Sequence, residues 1–304
     1  MIVAAKSKNA IRTGTSRIMF LAFNAVFFTL MVIVCFYPMW YVFIQSLSES
    51  AMAVKAVILP VNFTFNNYVQ LMQMPEIFHA FMISVLRTVL GTCGTVLCCM
   101  FAGYLFTKEN IPFRKFIYRM MVITMYVSGG LIPTYLVIKE YGLINSFLVY
   151  IVPSLIGAYN VILIKTFIEQ LPKELEESAR IDGASTGTVF FKIILPLSMP
   201  IAATIAIYAS NSQWNSFIDN QLYTSAKSDL TTLQLLLYNY LNQSERLIAQ
   251  LEKEGVSSAE MSKILTPRGI KMTVTMISVI PIMCVYPFMQ RFLVKGIMIG
   301  AVKG

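Results

Sequence analysis

The chain has 304 residues, of which 57% are hydrophobic and only 13% are charged, and its mean hydropathy is +0.67. A soluble domain carries about 25% charged residues because its surface faces water, so the composition excludes an ordinary soluble protein. The net charge of +9 does not indicate nucleic acid, because the basic residues are spread over short polar breaks and form no single basic face. We therefore expect an integral membrane protein that is in contact with lipid and binds no nucleic acid.

Long apolar blocks predict an all-α protein with six membrane-spanning helices, because a bilayer requires about 20 consecutive apolar residues per helix. The first block follows four basic residues but exceeds the roughly 7–15 apolar residues of a signal peptide, and no small-residue cleavage site follows it. It is therefore expected to stay in the membrane. In chain order, the predicted spans are Ile18–Ile44, His79–Phe106, Phe116–Ile138, Ser146–Phe167, Pro200–Tyr223 and Met272–Leu293.

The positions of Lys and Arg predict the orientation of these spans. Fifteen of the 24 basic residues lie in the N-terminal segment, the second and fourth breaks and the C-terminal tail, and short loops rich in Lys and Arg stay in the cytoplasm. Both termini are therefore predicted to be cytoplasmic. The predicted organisation is a cytoplasmic segment 1–17, a transmembrane domain 18–295 and a cytoplasmic tail 296–304.

The segment 221–271 is predicted to form a long loop on the extracytoplasmic side. Within it, Ser244–Leu265 interleaves acidic and basic residues, which predicts a short solvated helix. This helix is either a plain connector or a surface that contacts an external partner, and composition favours neither.

Cysteine, histidine and glycine positions predict structure rather than chemistry. All five cysteines lie inside apolar blocks and the only histidine is His79, so we expect no structural disulfide and no metal site. Small residues allow helix backbones to approach closely in lipid. Helix packing is therefore the expected role of the glycines in the second and third spans, which are Gly91, Gly94, Gly103 and Gly129–Gly130.

The segment Leu171–Pro196 predicts two short amphipathic helices joined by a glycine. Pro172 suits a first helical turn, and three glutamates would lie near the positive end of the helix dipole. Gly183 is expected to end this helix and Ser185 to cap the next, while Leu175, Ala179 and Ile181 form a small apolar stripe. Such a segment either rests on lipid headgroups or docks a protein. The acidic cluster, which anionic lipid would repel, favours docking; it comprises Glu174, Glu176 and Glu177.

The same segment resembles the EAA coupling motif of ABC importer permeases, which has the form E-A-A-x-x-D-G-A followed by F-x-x-I-x-L-P. Residues Glu177–Ala184 read E-S-A-R-I-D-G-A, with Ser178 in place of the first alanine, and Phe191–Pro196 read F-K-I-I-L-P. The aromatic position of the motif aligns with either Phe190 or Phe191.

Other segments are similar to the carbohydrate-uptake, maltose-importer-like branch of these permeases, and the similarity covers nearly the whole chain. The segments are Pro38 with Trp40, Ala102–Tyr104, Trp214–Asn215 and the tail Gly296–Gly304, and residues 281–291 look like the permeases for complex oligosaccharides.

The resemblance implies a type I ABC importer permease in a bacterial plasma (inner) membrane. It also implies the partners: a second permease subunit, two ATP-binding subunits and an extracytoplasmic sugar-binding protein. This branch generally pairs two different permeases, and a pair of identical subunits is the alternative that stays open. The chain has no G-x-x-x-x-G-K-[ST] phosphate loop, so ATP and Mg are expected on the partner subunits and the chain itself is expected to be no enzyme. The residues that the resemblance places in a cleft of the ATPase are Glu176, Glu177, Ala179, Asp182, Gly183 and Ala184.

Polar residues in the predicted fifth span suggest a passage for the substrate, since polar groups in a span usually face a cavity. Trp214 suits stacking on a sugar ring, and the neighbouring amides suit bonds to hydroxyls. The alternative is hydrogen bonding between helices, and the two readings stay open. The candidates are Asn211, Gln213, Trp214, Asn215 and Asp219.

Two other classes of protein fit the sequence less well. A secondary transporter usually needs ionisable residues within its spans, and only Arg87 and Asp219 qualify. Arg87 either pairs inside the helix bundle or extends to the outer interface. A membrane enzyme would need a nucleophile–base pair, paired carboxylates or a metal motif in a span, and we find no such constellation.

Overall fold

The computed structural model describes residues 15–49, 53–242 and 268–301. These residues are helical apart from loops and one isolated antiparallel bridge between Ser48 and Phe63, so the all-α prediction is confirmed for them. Residues 233–242 are also helical. The α-helices are α1 (Thr15–Ser46), α2 (Asn66–Met72), α3 (Pro75–Leu105), α4 (Arg114–Ile123), α5 (Leu131–Glu140), α6 (Ala158–Ile168), α7 (Glu174–Ile181), α8 (Thr186–Val189), α9 (Leu195–Leu197), α10 (Met199–Asn215), α11 (Ile218–Tyr223) and α12 (Arg268–Ala301).

Two of these helices, α1 and α3, are each long and apolar enough to cross a membrane. Two bent pairs qualify in addition if each crosses as one span. They are Phe147–Ser154 with α6, bent by 45°, and Thr186–Leu197 with α10, bent by 81°. The described residues thus offer two to four spans by length and composition, and six spans with both termini in the cytoplasm stay a prediction.

The predicted third span, Phe116–Ile138, is not one helix. α4 ends at Ile123, and α5 begins only at Leu131. Gly130 in the break has a φ of 85°, a left-handed conformation that glycine adopts without a steric penalty. A side chain at Gly130 would meet no atom within 4 Å. The prediction that Gly129–Gly130 serves helix packing is therefore wrong, because these residues interrupt a helix.

The predicted fourth and fifth spans are also interrupted. The fourth consists of two 3-10 turns, Phe147–Tyr150 and Val152–Ser154, followed by α6. The fifth ends as α10 at Asn215, and α11 starts a separate helix at Ile218. Ser216 between them is extended, with ψ 132°. The predicted helix Ser244–Leu265 lies outside the described residues.

The chain divides into two compact units. The first ends at Asn67 and includes α12 up to Thr273. In it, α1 is exposed along its apolar length and buried only at its last three residues. The loop after α1 folds back onto this end: Trp40 Nε1 donates to the carbonyl of Ile58 (3.0 Å), and Asn67 Nδ2 donates to the carbonyl of Ser46 (2.9 Å).

The second unit, from Tyr68 onward with the rest of α12, is organised around α3. The α3 backbone lies so close to its neighbours that a Cβ at Gly91 would be 2.6 Å from the Gln213 side chain, and a Cβ at Gly103 would be 2.6 Å from the Ile164 side chain. Gly94 is similarly close to Leu155. The packing role predicted for these three glycines is confirmed, since a Cβ at each of them would lie 2.6 Å from a neighbouring side chain, so that either this side chain or α3 would have to move.

A buried apolar cluster fills the angle between α3, α6, α10 and the segment that follows α7. Its aromatic members are Tyr104 from α3 and Phe190 from the turn after α8, with ring centroids 5.5 Å apart. The aliphatic members come from all four elements; they include Met100, Val161, Ile164, Ile168, Val189, Ile194 and Ile205. This cluster anchors the 171–196 segment to the helices of the second unit.

Substituting Gly103 by Ala should destabilise the protein by about 1–3 kcal/mol, the usual cost of overpacking. The new methyl group would also lie 3.2 Å from the backbone nitrogen of Lys165, which cannot move aside as a side chain can. Gly129→Ala is the matched control, because its nearest atom would be 3.9 Å away. Thermal unfolding in detergent should show a lower midpoint for the first variant only, and equal midpoints would contradict the close-packing account.

Candidate functional site

The segment Leu171–Pro196, which we call the acidic hairpin, folds as two helices joined by a glycine, as predicted. α7 ends in a Schellman motif. The N–H of Gly183 donates to the carbonyl of Arg180 (3.0 Å), and the N–H of Ala184 donates to that of Ala179 (2.9 Å). Gly183 has a φ of 79°, which explains why this position requires glycine.

Both helices of the acidic hairpin start near the predicted positions, although Pro172 precedes the N-cap Lys173 and so lies outside the first turn in which it was predicted. α7 begins at Glu174, two residues after Pro172, and its first turn carries the three predicted glutamates. Ser185 caps α8 by accepting a hydrogen bond from the N–H of Thr188 (3.2 Å). The cap satisfies one of the free N–H groups of the second helix.

One side of the acidic hairpin packs against the buried cluster. Ala179 and Ala184, the two positions that meet in a Schellman motif, are both partly buried there. The chain then makes a π-helical turn, Phe190–Ile194, which buries Phe190 and leaves Phe191 exposed. Of the two aromatics that align with the motif, Phe190 is therefore the one that belongs to the core.

Glu176 fastens α7 to the end of α3. Its carboxylate forms ion pairs with Lys108, just beyond α3, and with Arg180 Nη2 (2.8 Å). The Tyr104 hydroxyl donates to the same carboxylate (3.3 Å), and Lys108 Nζ lies 4.1 Å from the centroid of the Tyr104 ring. Glu176 therefore faces inward, whereas Glu177 is exposed.

The charges around Glu176 shift its titration. Partial burial would raise the pKa of the Glu176 carboxyl, but the hydrogen bonds and charges of Lys108 and Arg180 together outweigh it, and the pKa is lowered. Burial also lowers the pKa of Lys108, against the opposing pull of Glu176. The group thus stabilises the hairpin as a carboxylate, above the ordinary pKa of glutamic acid.

The other side of the acidic hairpin faces outward and presents residues of mixed chemistry. Glu177, Asp182 and Gly183 are exposed, and Ile181 between them is 86% exposed. The sequence prediction grouped Ile181 with Ala179 in one stripe. Two residues apart on a helix means a rotation of about 200°, so helical geometry already assigned Ile181 to the opposite face.

Inside the second unit, Arg87 of α3 is 2% exposed and forms the centre of a polar network. The guanidinium donates to Gln213 Oε1 through Nε (3.2 Å) and Nη2 (3.1 Å), and it pairs with the Asp219 carboxylate (Nη2–Oδ2, 2.5 Å). It also lies 4.4 Å from the centroid of the Tyr150 ring. Of the two placements that the sequence left open for Arg87, the structure shows pairing within the helices.

The five polar candidates of the predicted fifth span fall into two groups. Gln213 and Asp219 belong to the Arg87 network, so the structure shows hydrogen bonding between helices for them. Asn211 and Trp214 instead line a cavity of about 440 Å³. Asn215 donates a hydrogen bond to the side chain of Asn211 (3.0 Å). We call this space the Trp214 cavity; its other lining residues include Val85, Val89, Tyr208, Pro281 and Tyr286.

The sequence matches one family model over residues 94–299, described as the binding-protein-dependent transport system inner membrane component. The chain belongs to this family. It is therefore a permease component of an importer that works with a binding protein. The acidic hairpin lies within the matched residues, as do the residues of α10 and α12 that line the Trp214 cavity.

Individual relatives agree with the family assignment. The permease is 32% identical over 280 residues to the polygalacturonan/rhamnogalacturonan transport system permease protein YtcP of Bacillus subtilis (strain 168), covering 91% of this chain and 96% of that one. It is 36% identical over 249 residues to the protein LplC of the same organism, covering 81% of each chain.

A solved structure shows the same fold as the permease. It is a bacterial ABC transporter involved in the import of the acidic polysaccharide alginate. The TM-score is 0.80 at 24% identity, and the match covers 91% of this chain and 97% of the other. The permease fold expected from the sequence is thereby confirmed.

Glu176→Gln should lower the thermal stability of the permease at neutral pH, because it removes two ion pairs. Since the pKa of Glu176 is lowered, its stabilisation is fully present above the ordinary pKa of a glutamate carboxyl and is lost as the pH falls through the lower pKa of the folded state. The difference between wild type and variant should therefore shrink in acid. Unfolding midpoints from pH 7 down to about pH 4 test this, with the exposed Glu177→Gln as control; a difference independent of pH would refute it.

Gly183→Ala should strain the link between α7 and α8 by about 1–2 kcal/mol, the usual cost of a left-handed conformation for a residue with a Cβ. Gly187→Ala is the control, since Gly187 has no positive φ and its nearest atom would be 3.9 Å from the new methyl group. Limited proteolysis should cut the hairpin of the first variant faster. Equal cutting of both would show that the left-handed turn is not needed.

Proposed function

We propose that this permease passes a sugar or oligosaccharide inward across the bacterial inner membrane while partner subunits hydrolyse ATP. The observation that carries the proposal is the acidic hairpin, which is fixed to the helices on one side and presents an ordered, exposed face on the other. A surface that is both rigid and exposed suits the transmission of movement from a partner. The sugar class rests on the relatives, which are named as transport permeases for polygalacturonan/rhamnogalacturonan, galactooligosaccharides, arabinooligosaccharides and α-glucosides.

In this proposal the exposed face of the hairpin enters a cleft of the ATPase subunit. Glu177 and Asp182 offer charge, Gly183 allows close approach, and Ile181 offers an exposed apolar side chain whose burial in the cleft would favour binding. Glu176, Ala179 and Ala184 act differently from the other coupling residues. These three residues hold the exposed face of the hairpin in position, because their own contacts are with other residues of the permease.

For the substrate, we propose that the Trp214 cavity forms this subunit's wall of the passage. Trp214, Tyr208 and Tyr286 supply aromatic surface suited to sugar rings, and Asn211, which accepts a hydrogen bond from Asn215, supplies an amide group. The indole N–H of Trp214 donates to the carbonyl of Ser278 (2.9 Å), which holds the ring in place. Gln213 and Asp219 do not contact the sugar in this proposal, because both side chains are already bonded to Arg87.

The proposal includes the remaining parts of the assembly. The partners are a second permease subunit of different sequence, two ATP-binding subunits that bind ATP and Mg, and an extracytoplasmic sugar-binding protein. The chain itself acts as a transport subunit without an ATPase site. Its domain bounds are those predicted above, with residues 18–295 spanning the membrane six times, residues 221–271 outside, and 1–17 and 296–304 in the cytoplasm.

ATP hydrolysis by the complete complex in nanodiscs tests the proposal. Sugar-loaded binding protein should stimulate hydrolysis by the wild-type complex. Ile181→Asp and Glu177→Ala should each reduce this stimulation about tenfold or more, the effect expected from a loss of roughly 1.4 kcal/mol at a docking site. Neither residue is buried, so the variants should fold and reach the membrane normally.

Glu109→Ala serves as the matched control, because Glu109 is an exposed carboxylate outside the hairpin. It should behave as wild type. Failure of any ATP-binding subunit to copurify with the wild-type permease would contradict the assembly. Stimulation that is equal in wild type, Ile181→Asp and Glu177→Ala would contradict the coupling role of the hairpin.

A further inference from the structure

Arg87 has no hydrogen-bonding capacity left for a ligand. A guanidinium carries five N–H donors, and five hydrogen bonds account for them. Two go to Gln213 Oε1, two to the carboxylate of Asp219 and one to the carbonyl of Ser216. A buried arginine that is satisfied entirely by protein groups acts on structure, and the role of Arg87 depends on what those groups hold in place.

Two of the partners lie on either side of the break between α10 and α11. Ser216, whose carbonyl accepts from Arg87 Nη1 (3.2 Å), follows the last residue of α10. Asp219 lies in the first turn of α11. A cation at the C-terminal end of one helix and an anion at the N-terminal end of the next are both favourable with the helix dipoles. Arg87 therefore joins the two helices at an interruption that would otherwise be free to bend.

The third partner controls the rotation of α10 about its axis. Gln213 accepts from Arg87, and its amide nitrogen donates to the carbonyl of Tyr150 (3.0 Å) and to Ser154 Oγ (2.7 Å). Its side chain also fits against the bare backbone of Gly91. Gln213 is thus held at both ends of its amide group, and α10 cannot rotate without breaking these bonds.

The residue that follows Gln213 is Trp214, which forms part of the Trp214 cavity together with Asn211. Adjacent residues on a helix point about 100° apart, so a fixed Gln213 also fixes the direction of Trp214. On α3, Thr88 and Val89 line the same cavity directly after Arg87. The Arg87 network and the Trp214 cavity therefore lie on different faces of the same two helices, α3 and α10.

We propose that Arg87 is the positioning residue of the sugar passage, which keeps the α10–α11 break from acting as a hinge and holds Trp214 and Asn211 in the cavity wall throughout transport. The proposal rests on the proposed function. It assigns the bending required by transport to other breaks in the chain, and it explains why an arginine stands in the middle of an apolar helix without contacting the substrate.

Lysine cannot replace arginine in this role. It carries three N–H donors on a single nitrogen and cannot reach Gln213, Ser216 and Asp219 in one plane as a guanidinium does. Arg87→Lys would keep the charge but leave at least one buried acceptor without a donor. The cavity wall would then become loose, while the charge balance of the network would be preserved.

The number of sugar molecules moved per ATP hydrolysed tests the proposal. Sugar transport and ATP hydrolysis are both measured in vesicles that contain the complete complex. The loaded binding protein is placed on the side of the vesicle membrane to which the extracytoplasmic face of the permease is turned. Arg87→Lys should lower this ratio about fivefold or more, the factor that corresponds to about 1 kcal/mol for one unsatisfied buried acceptor. Arg119→Lys is the matched control, because Arg119 is exposed on α4, and its ratio should equal that of wild type.

A purely structural role would reduce the amount of complex and lower transport and hydrolysis together, so an unchanged ratio in Arg87→Lys would overturn the proposal. If that variant does not assemble, Asp219→Asn, which keeps the shape of the side chain, should also lower the ratio; an unchanged ratio there would overturn the proposal equally. Failure of the proposed function itself is distinct, since the wild-type complex would then show no stimulation of ATP hydrolysis by loaded binding protein.

Discussion

The close approach of the α3 backbone to α6 and α10 is the constraint on which the rest of the second unit depends. Helices in lipid gain little from hydrophobic attraction to one another, so they associate through tight van der Waals contact and interhelical hydrogen bonds. Gly91 and Gly103 make that contact possible, because a Cβ at either position would collide with a neighbouring side chain. The Arg87–Gln213 bonds and the buried cluster around Tyr104 both require α3 at this distance.

α3 also connects the two candidate sites. Its 31 residues extend for about 46 Å at 1.5 Å per residue. Arg87, near the middle, controls the end of α10 beside the Trp214 cavity, and Tyr104, at the C-terminal end, contacts Glu176 of the acidic hairpin. A movement of the hairpin would reach the cavity through a single rigid helix. The physical basis for coupling would then be shared packing along α3, with no flexible linker between the two sites.

The breaks in the helices show where pattern reading succeeds and where it fails. The turn at Gly183 and the cap at Ser185 were predictable because both follow from local backbone chemistry. The interruptions at residues 124–130 and 216–217 were not predicted, because each was taken as part of one continuous span together with the apolar residues before it. Gly129–Gly130 offered a local signal that was assigned to packing instead. At Ser216 the decisive partner is Arg87, 129 residues earlier in the chain, and no local pattern reveals it.

The sequence by itself determined the membrane location, the helical class, the family and the position of the acidic hairpin, because each of these follows from composition, periodicity or a contiguous motif. Only the tertiary structure decided which side of the hairpin faces outward, turning Glu176 to the interior and Ile181 to the surface. It also separated the polar residues of the fifth span into a network around Arg87 and a wall of the Trp214 cavity. The physical reason is that a polar side chain in an apolar helix needs a partner, and the identity of that partner depends on which helices pack together.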